Sequence, residues 1–121
     1  MSTILLVDDS AYARRTMRKT LEAAQHTVVE AGGGMAAIES YFLQHPDLVL
    51  LDLTMEDMDG IQVLKKLREL DASARIVVVS ADVQATTEVM VKDAGGVAFL
   101  GKPVAAEVLL RTIDSVMQGA T

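Results

Sequence analysis

Five short apolar runs, each followed by a stretch with helical spacing, constrain this chain more than any other feature. The runs are Ile4–Val7, Thr27–Val29, Leu48–Leu51, Ile76–Val79 and Val97–Leu100. The first, third and fourth show no polar alternation, the pattern of strands buried on both faces of a parallel sheet. After each run, apolar residues recur at intervals of three or four. The sets are Ala13, Met17, Leu21 and Ala24; Met35, Ile38 and Phe42; Leu64, Leu67 and Leu70; Met90 and Ala94; and Leu109, Ile113 and Val116. Each set predicts one apolar stripe on a helix. Breakers separate the segments: Gly32-Gly33-Gly34, His45-Pro46, Asp59-Gly60 and Gly95-Gly96. Strand and helix alternate five times, which predicts an α/β fold, a doubly wound five-stranded parallel sheet flanked by five helices. At 121 residues, half of them hydrophobic, the chain fits one domain over 1–121 with a core of ordinary size.

Composition removes several function classes. A formal net charge of −6 argues against a general nucleic-acid binder, which needs a basic face. The absence of cysteine excludes a disulfide scaffold and a thiolate metal site. The N-terminus lacks a signal peptide's basic segment and long apolar core, and no apolar run approaches the roughly 20 residues of a membrane span. The expectation is a soluble, cytoplasmic monomer with no nucleic-acid or membrane partner. His26 and His45 are expected at surface turns, and the seven methionines as gap-fillers in the core. Arg14, Arg15, Arg18 and Lys19 on the first helix read as a solvated basic face, with a docking surface as the alternative.

In such sheets, ligands bind beyond the carboxyl ends of the strands. Asp8 and Asp9 follow the first run, Asp52 the third, Ser80, Ala81 and Asp82 the fourth, and Gly101-Lys102-Pro103 the fifth. The second ends in Glu30-Ala31-Gly32 and offers no comparable group. Singly, each residue has an ordinary role: an aspartate in a turn, Ser80 as a helix cap, Lys102 as a solvated lysine. Jointly, three carboxylates, a hydroxyl and an amine converge on one sheet edge. Crowded carboxylates resist being ionised together without a cation. With oxygen ligands alone the fitting ion is hard, Mg²⁺ first among them, held by Asp8 and Asp9 directly or through water. Asp52 is then a candidate nucleophile, since aspartates form acyl phosphates. Lys102 would meet the remaining phosphoryl oxygens and Ser80 would donate a hydrogen bond to one of them.

At these residues the chain resembles the receiver domains of two-component response regulators. The resemblance rests on "ILLVDDS" (4–10), "DLVLLDLTMEDMDG" (47–60), "VVVSA" (77–81) and "FLGKP" (99–103) and covers essentially the whole length. It implies strand order 2-1-3-4-5 in a flavodoxin-like, CheY-like fold, and a signalling protein rather than an enzyme. Asp52 matches the phosphoacceptor, Asp8 and Asp9 the acid pair that binds Mg²⁺, and the Thr54 backbone carbonyl a third protein ligand. Ser80 matches the switch hydroxyl and Phe99 the switch aromatic. Ala81 matches the small residue beside the phosphoryl group. Lys102 matches the family's lysine, whose bond to Pro103 is usually cis. Thr54 and Asp82 occupy positions that tune dephosphorylation.

The resemblance also implies partners: a sensor histidine kinase or phosphotransfer protein as donor, and a target docking on the face made by the fourth helix, fifth strand and fifth helix. No output domain is expected, which points to a stand-alone, chemotaxis-type signal carrier. A phosphorelay intermediate or phosphate sink is the alternative. Two departures stand out: Glu56 where the family often has proline, and Gly33-Gly34 where it often reads Asp-Gly. An aspartyl-phosphate enzyme of the haloacid dehalogenase type uses similar groups, but Asp52-Leu53-Thr54 lacks that family's second aspartate. A flavin module would need a phosphate-binding loop where Asp8-Asp9 would repel an anion.

Overall fold

The computed structural model describes residues 1–119, so Ala120 and Thr121 of the expected 1–121 domain lie outside the described residues. Strands β1 (Thr3–Val7), β2 (Thr27–Ala31), β3 (Leu48–Leu51), β4 (Ile76–Ser80) and β5 (Ala98–Gly101) alternate with helices α1 (Ala11–Ala23), α2 (Gly34–Gln44), α3 (Gly60–Leu70), α4 (Ala85–Asp93) and α5 (Ala106–Gln118). The five strands form one sheet in the order β2-β1-β3-β4-β5, and every pair is parallel. The fold is the doubly wound α/β architecture that the alternation predicts.

Strand side chains alternate between two cores. Leu5, Val7, Val49, Leu51, Ile76 and Val78 face α2, α3 and α4, while Ile4, Leu6, Leu48, Leu50, Val77 and Val79 face α1 and α5. Both sets are buried, which is why β1, β3 and β4 carry no polar alternation. Each fully buried Leu or Ile contributes roughly 1.5–3 kcal/mol. Edge strand β5 is only half-buried along its length.

Helix phase is where the sequence reading needs correction. On α1 and α5 the expected stripes point inward, with Leu21, Leu109 and Ile113 buried. On α2, however, Met35 and Phe42 are exposed, and the inward positions are Ala37 and Tyr41. A small residue lets the helix approach the sheet, and Tyr41 can be buried because its hydroxyl donates to Asp71 Oδ2 at 2.7 Å. On α4 the buried residue is Val91, with Met90 exposed; on α3, Leu70 lies outside the stripe.

Candidate active site at the carboxyl edge of the sheet

Ladder hydrogen bonds continue just past the strands and fix the candidate site residues. Asp8 N donates to Ala31 O at 3.2 Å, Asp52 N to Val7 O at 3.0 Å, and Lys102 N to Ser80 O at 2.8 Å. Asp8 and Asp52 are thereby aligned on neighbouring strands, and Lys102 is brought alongside β4. Asp8 is 2% exposed, Asp52 7% and Ser80 0%, whereas Asp9 is open to solvent.

One carboxylate oxygen from each of Asp8, Asp9 and Asp52 falls in a group whose members all lie within 4.8 Å of one another. Lys102 Nζ is 2.8 Å from Asp8 Oδ2 and 3.6 Å from Asp52 Oδ2. Burial pushes the Asp52 pKa up, and the charges of Asp8 and Asp9 add to that, against the pull of Lys102 and the Thr54 N–H. Burial opposes the charge on Lys102, but its hydrogen bond to Asp8 and the fields of Asp52 and Asp8 outweigh it, so its pKa is raised. The site holds more negative charge than one lysine balances. All its acidic donors are oxygens, one of them exposed, which fits a hard divalent ion that keeps part of its water shell.

Around this centre, Thr54 N approaches Asp52 Oδ1 at 3.4 Å. Ser80 Oγ accepts from Asp82 N at 3.0 Å, and the Asp82 carboxylate accepts from Gln84 N at 3.1 Å and Thr87 Oγ1 at 2.8 Å. Ala81 is exposed beside them. The Lys102–Pro103 peptide is cis. Phe99 pairs in register with Val78, and Gly101 with Ser80, so Ser80 and Phe99 project from the same face of the sheet. The Phe99 ring is half-buried and lines a cavity of about 200 Å³ with Val91, Lys92 and Val97. The structure therefore gathers Asp8, Asp9, Asp52, Ser80 and Lys102 at one edge and leaves Phe99 two residues further down β5.

Two residues near the site escaped the sequence reading. Arg14 is not part of a solvated face: its Nη1 donates to the Asp8 carbonyl at 2.6 Å and its Nε to Glu30 Oε1 at 2.9 Å. Glu30 also binds Arg18 Nη1 at 2.6 Å, and Arg18 Nε binds Glu22 at 3.0 Å. The end of β2 thus supports Asp8 through Arg14, although it sends no side chain into the site. Arg15 and Lys19 remain exposed. The available sequence signal was the spacing of Arg14 and Arg18, one helical turn apart on the side of α1 that meets β2.

Comparison with known proteins agrees with this geometry. The response regulator receiver domain family matches residues 4–114. The chain is 38% identical to the chemotaxis protein CheY of Bacillus subtilis, over 94% of this chain and 96% of that one. It is 34% identical to protein PilH of Pseudomonas aeruginosa, over 98% of this chain and 100% of that one. Among solved structures, the complex of CheX, CheY, BeF₃ and Mg²⁺ from Borrelia burgdorferi superposes with a TM-score of 0.91 at 28% identity, covering 94% of this chain and 87% of that one. No helix among the described residues is long and apolar enough to cross a membrane. The chain belongs to the response regulator receiver domain family, a family of signalling proteins.

Proposed function

We propose that this protein is a single-unit receiver that accepts a phosphoryl group on Asp52 and thereby changes its partner-binding surface. The observation that carries the reading is the clustering of Asp8, Asp9 and Asp52 oxygens within 4.8 Å, with Lys102 Nζ 2.8 Å from Asp8. The chain spans nearly the full length of the relatives CheY and PilH, which supports the comparison with them.

Asp8, Asp9, Asp52 and the Thr54 carbonyl are the proposed ligands of Mg²⁺, which supplies positive charge to the phosphoryl oxygens. An Asp52 carboxylate oxygen attacks phosphorus in line, the acyl phosphate bond forms, and the bond from phosphorus to the donor breaks with its electron pair leaving on the donor. Burial strips water from Asp52, and Lys102 keeps it ionised enough to attack. Lys102 then turns from carboxylate to phosphoryl oxygen, and the Ser80 hydroxyl donates to another. Ala81 leaves room beside the phosphoryl group, and Thr54 and Asp82 set how readily water reaches it. The donor is a sensor histidine kinase or a phosphotransfer protein in the cytoplasm, and the receiver acts as a monomer.

The output face is made by α4, β5 and α5. Val89, Met90, Val97 and Val108 expose apolar surface there. When Ser80 turns towards the phosphate it vacates space that the Phe99 ring can fill, and the phosphate favours that arrangement over the alternative. The chemotaxis-type assignment takes its support from the relatives named CheY. Incubation with acetyl phosphate and Mg²⁺ should add one phosphoryl mass to the intact protein and none to Asp52→Asn. Phosphorylation of Asp52→Asn to the same extent would place the acceptor elsewhere.

A further inference from the structure

Helix α2 has no capping side chain of its own, because its N-cap residue is Gly33. The first two N–H groups of the helix meet a carboxylate from a different loop. Asp57 Oδ1 accepts from Gly34 N at 2.9 Å and Oδ2 from Met35 N at 3.2 Å. Asp57 lies in the β3–α3 loop, the segment that also carries Asp52 and Thr54. These two N–H groups hold the Asp57 carboxyl below the usual carboxylate range.

The space for this contact depends on the α2 side having no side chains. A Cβ on Gly33 would lie 2.9 Å from Asp57 Oδ1, and one on Gly34 would lie 2.6 Å from Met58 Cβ and 2.7 Å from Val63 Cγ2. At the neck of the loop, Gly60 N donates to Leu53 O at 3.1 Å. Asp57 is the tie at its tip. Neighbouring Glu56 is exposed and, unlike proline, leaves the local backbone free to rotate. The two departures from the family pattern therefore flank one contact, Gly33 on the helix side and Glu56 beside Asp57 on the loop side. A capping side chain at position 33 would satisfy α2 locally, and a proline at 56 would stiffen the loop from within. Here one carboxylate spans both elements.

We infer that Asp57 is a positioning residue for the phosphoacceptor site: by capping α2 from the β3–α3 loop, it fixes the loop that presents Asp52 and the Thr54 carbonyl. The inference rests on the reading of that site as a Mg²⁺-dependent phosphoacceptor. Its consequence is that cap and metal site are coupled, although Asp57 touches neither metal nor phosphate.

The test compares the full chain, Asp57→Ala, and Asp57→Ala combined with Gly33→Asp, by amide hydrogen exchange without metal and by Mg²⁺ titration followed in NMR spectra. Asp57→Ala should speed exchange at Gly34 and Met35 and at residues 54–56, and weaken Mg²⁺ binding roughly tenfold, as loss of an outer support does at metal sites. Adding Gly33→Asp should slow exchange at Met35 and Ala36, the N–H groups an N-cap side chain reaches, because α2 regains a cap, while Mg²⁺ binding stays weak. Unchanged exchange at 54–56 in metal-free Asp57→Ala would overturn the inference whatever Mg²⁺ does. So would recovery of Mg²⁺ affinity by Gly33→Asp, which would make helix stability the whole effect. A parent chain with no saturable Mg²⁺ response would instead fail the phosphoacceptor reading, with the exchange arm still deciding the role of Asp57.

Discussion

Helices α1 and α4 each follow a strand that ends in the site, yet they are held very differently. Helix α1 runs 13 residues, is capped by Ser10 through Ala13 N, and buries Leu21 completely. Arg14 and Arg18 tie it to Glu30 on β2, and Arg14 also holds the Asp8 carbonyl. Helix α4 runs nine residues, has no side-chain cap bond at Gln84, and buries only Val91. Its outer surface exposes Val89 and Met90, and its leading loop is held by the local Asp82–Thr87 bond. The α1 side of the molecule is anchored by charge-assisted bonds, and the thinly buried α4 side, without a side-chain cap, has the character of the low-stability elements from which moving parts are drawn.

The largest expected effect tests that contrast in packing. Leu21→Ala should cost about 3 kcal/mol, because it empties a filled site in the core between α1 and the sheet. Val91→Ala should cost about 1–2 kcal/mol, since a short helix with open flanks relaxes into the space. Urea unfolding of both variants measures the difference. Equal costs would mean that α4 is as firmly seated as α1, and the contrast would fail.

A smaller effect concerns the ion pairs that anchor α1. The Arg18 hydrogen bond, helped by Arg14 and opposed by burial, holds the Glu30 carboxyl below its ordinary value. A depressed carboxylate contributes stability above its unfolded pKa of about 4.3 and loses it as pH falls through the lower folded value. Glu30→Gln should therefore be less stable than the parent at neutral pH by no more than ~1 kcal/mol, since the pair is partly exposed. The gap should close once the pH has fallen below that lowered folded value. A gap of the same size at that pH would assign the effect to packing rather than to charge.

Which parts of this were legible in the sequence follows from how local each signal is. Strand identity was legible because β1, β3 and β4 are uniformly apolar and end abruptly in Asp8, Asp52 and Ser80. The same abrupt ends made the site legible, since a parallel sheet delivers all strand ends to one edge. Helix phase on α2 was not, because Met35 and Phe42 outweigh Ala37 and Tyr41 in apolar size, while burial of Tyr41 depends on Asp71, thirty residues away. The supports of the site were hidden for the same reason. Arg14 acts on a backbone carbonyl, so its spacing with Arg18 marks the helix face but not the partner; Asp57 acts on the N–H groups of another helix, a contact that leaves no pattern in spacing.

Loading the acidic site is expected to shift the α4 side of the molecule while the α1 side stays fixed. The most direct measurement is a pair of ¹H–¹⁵N NMR spectra of the full chain, with Mg²⁺ alone and with Mg²⁺ and beryllofluoride as phosphoryl mimic. Large shifts are expected at residues 80–87, along α4 and in the Phe99 ring, with the amides of Met17 to Ala23 in α1 unmoved. Shifts confined to the immediate neighbours of Asp52, or spread equally over α1 and α4 with an unchanged Phe99 ring, would contradict it.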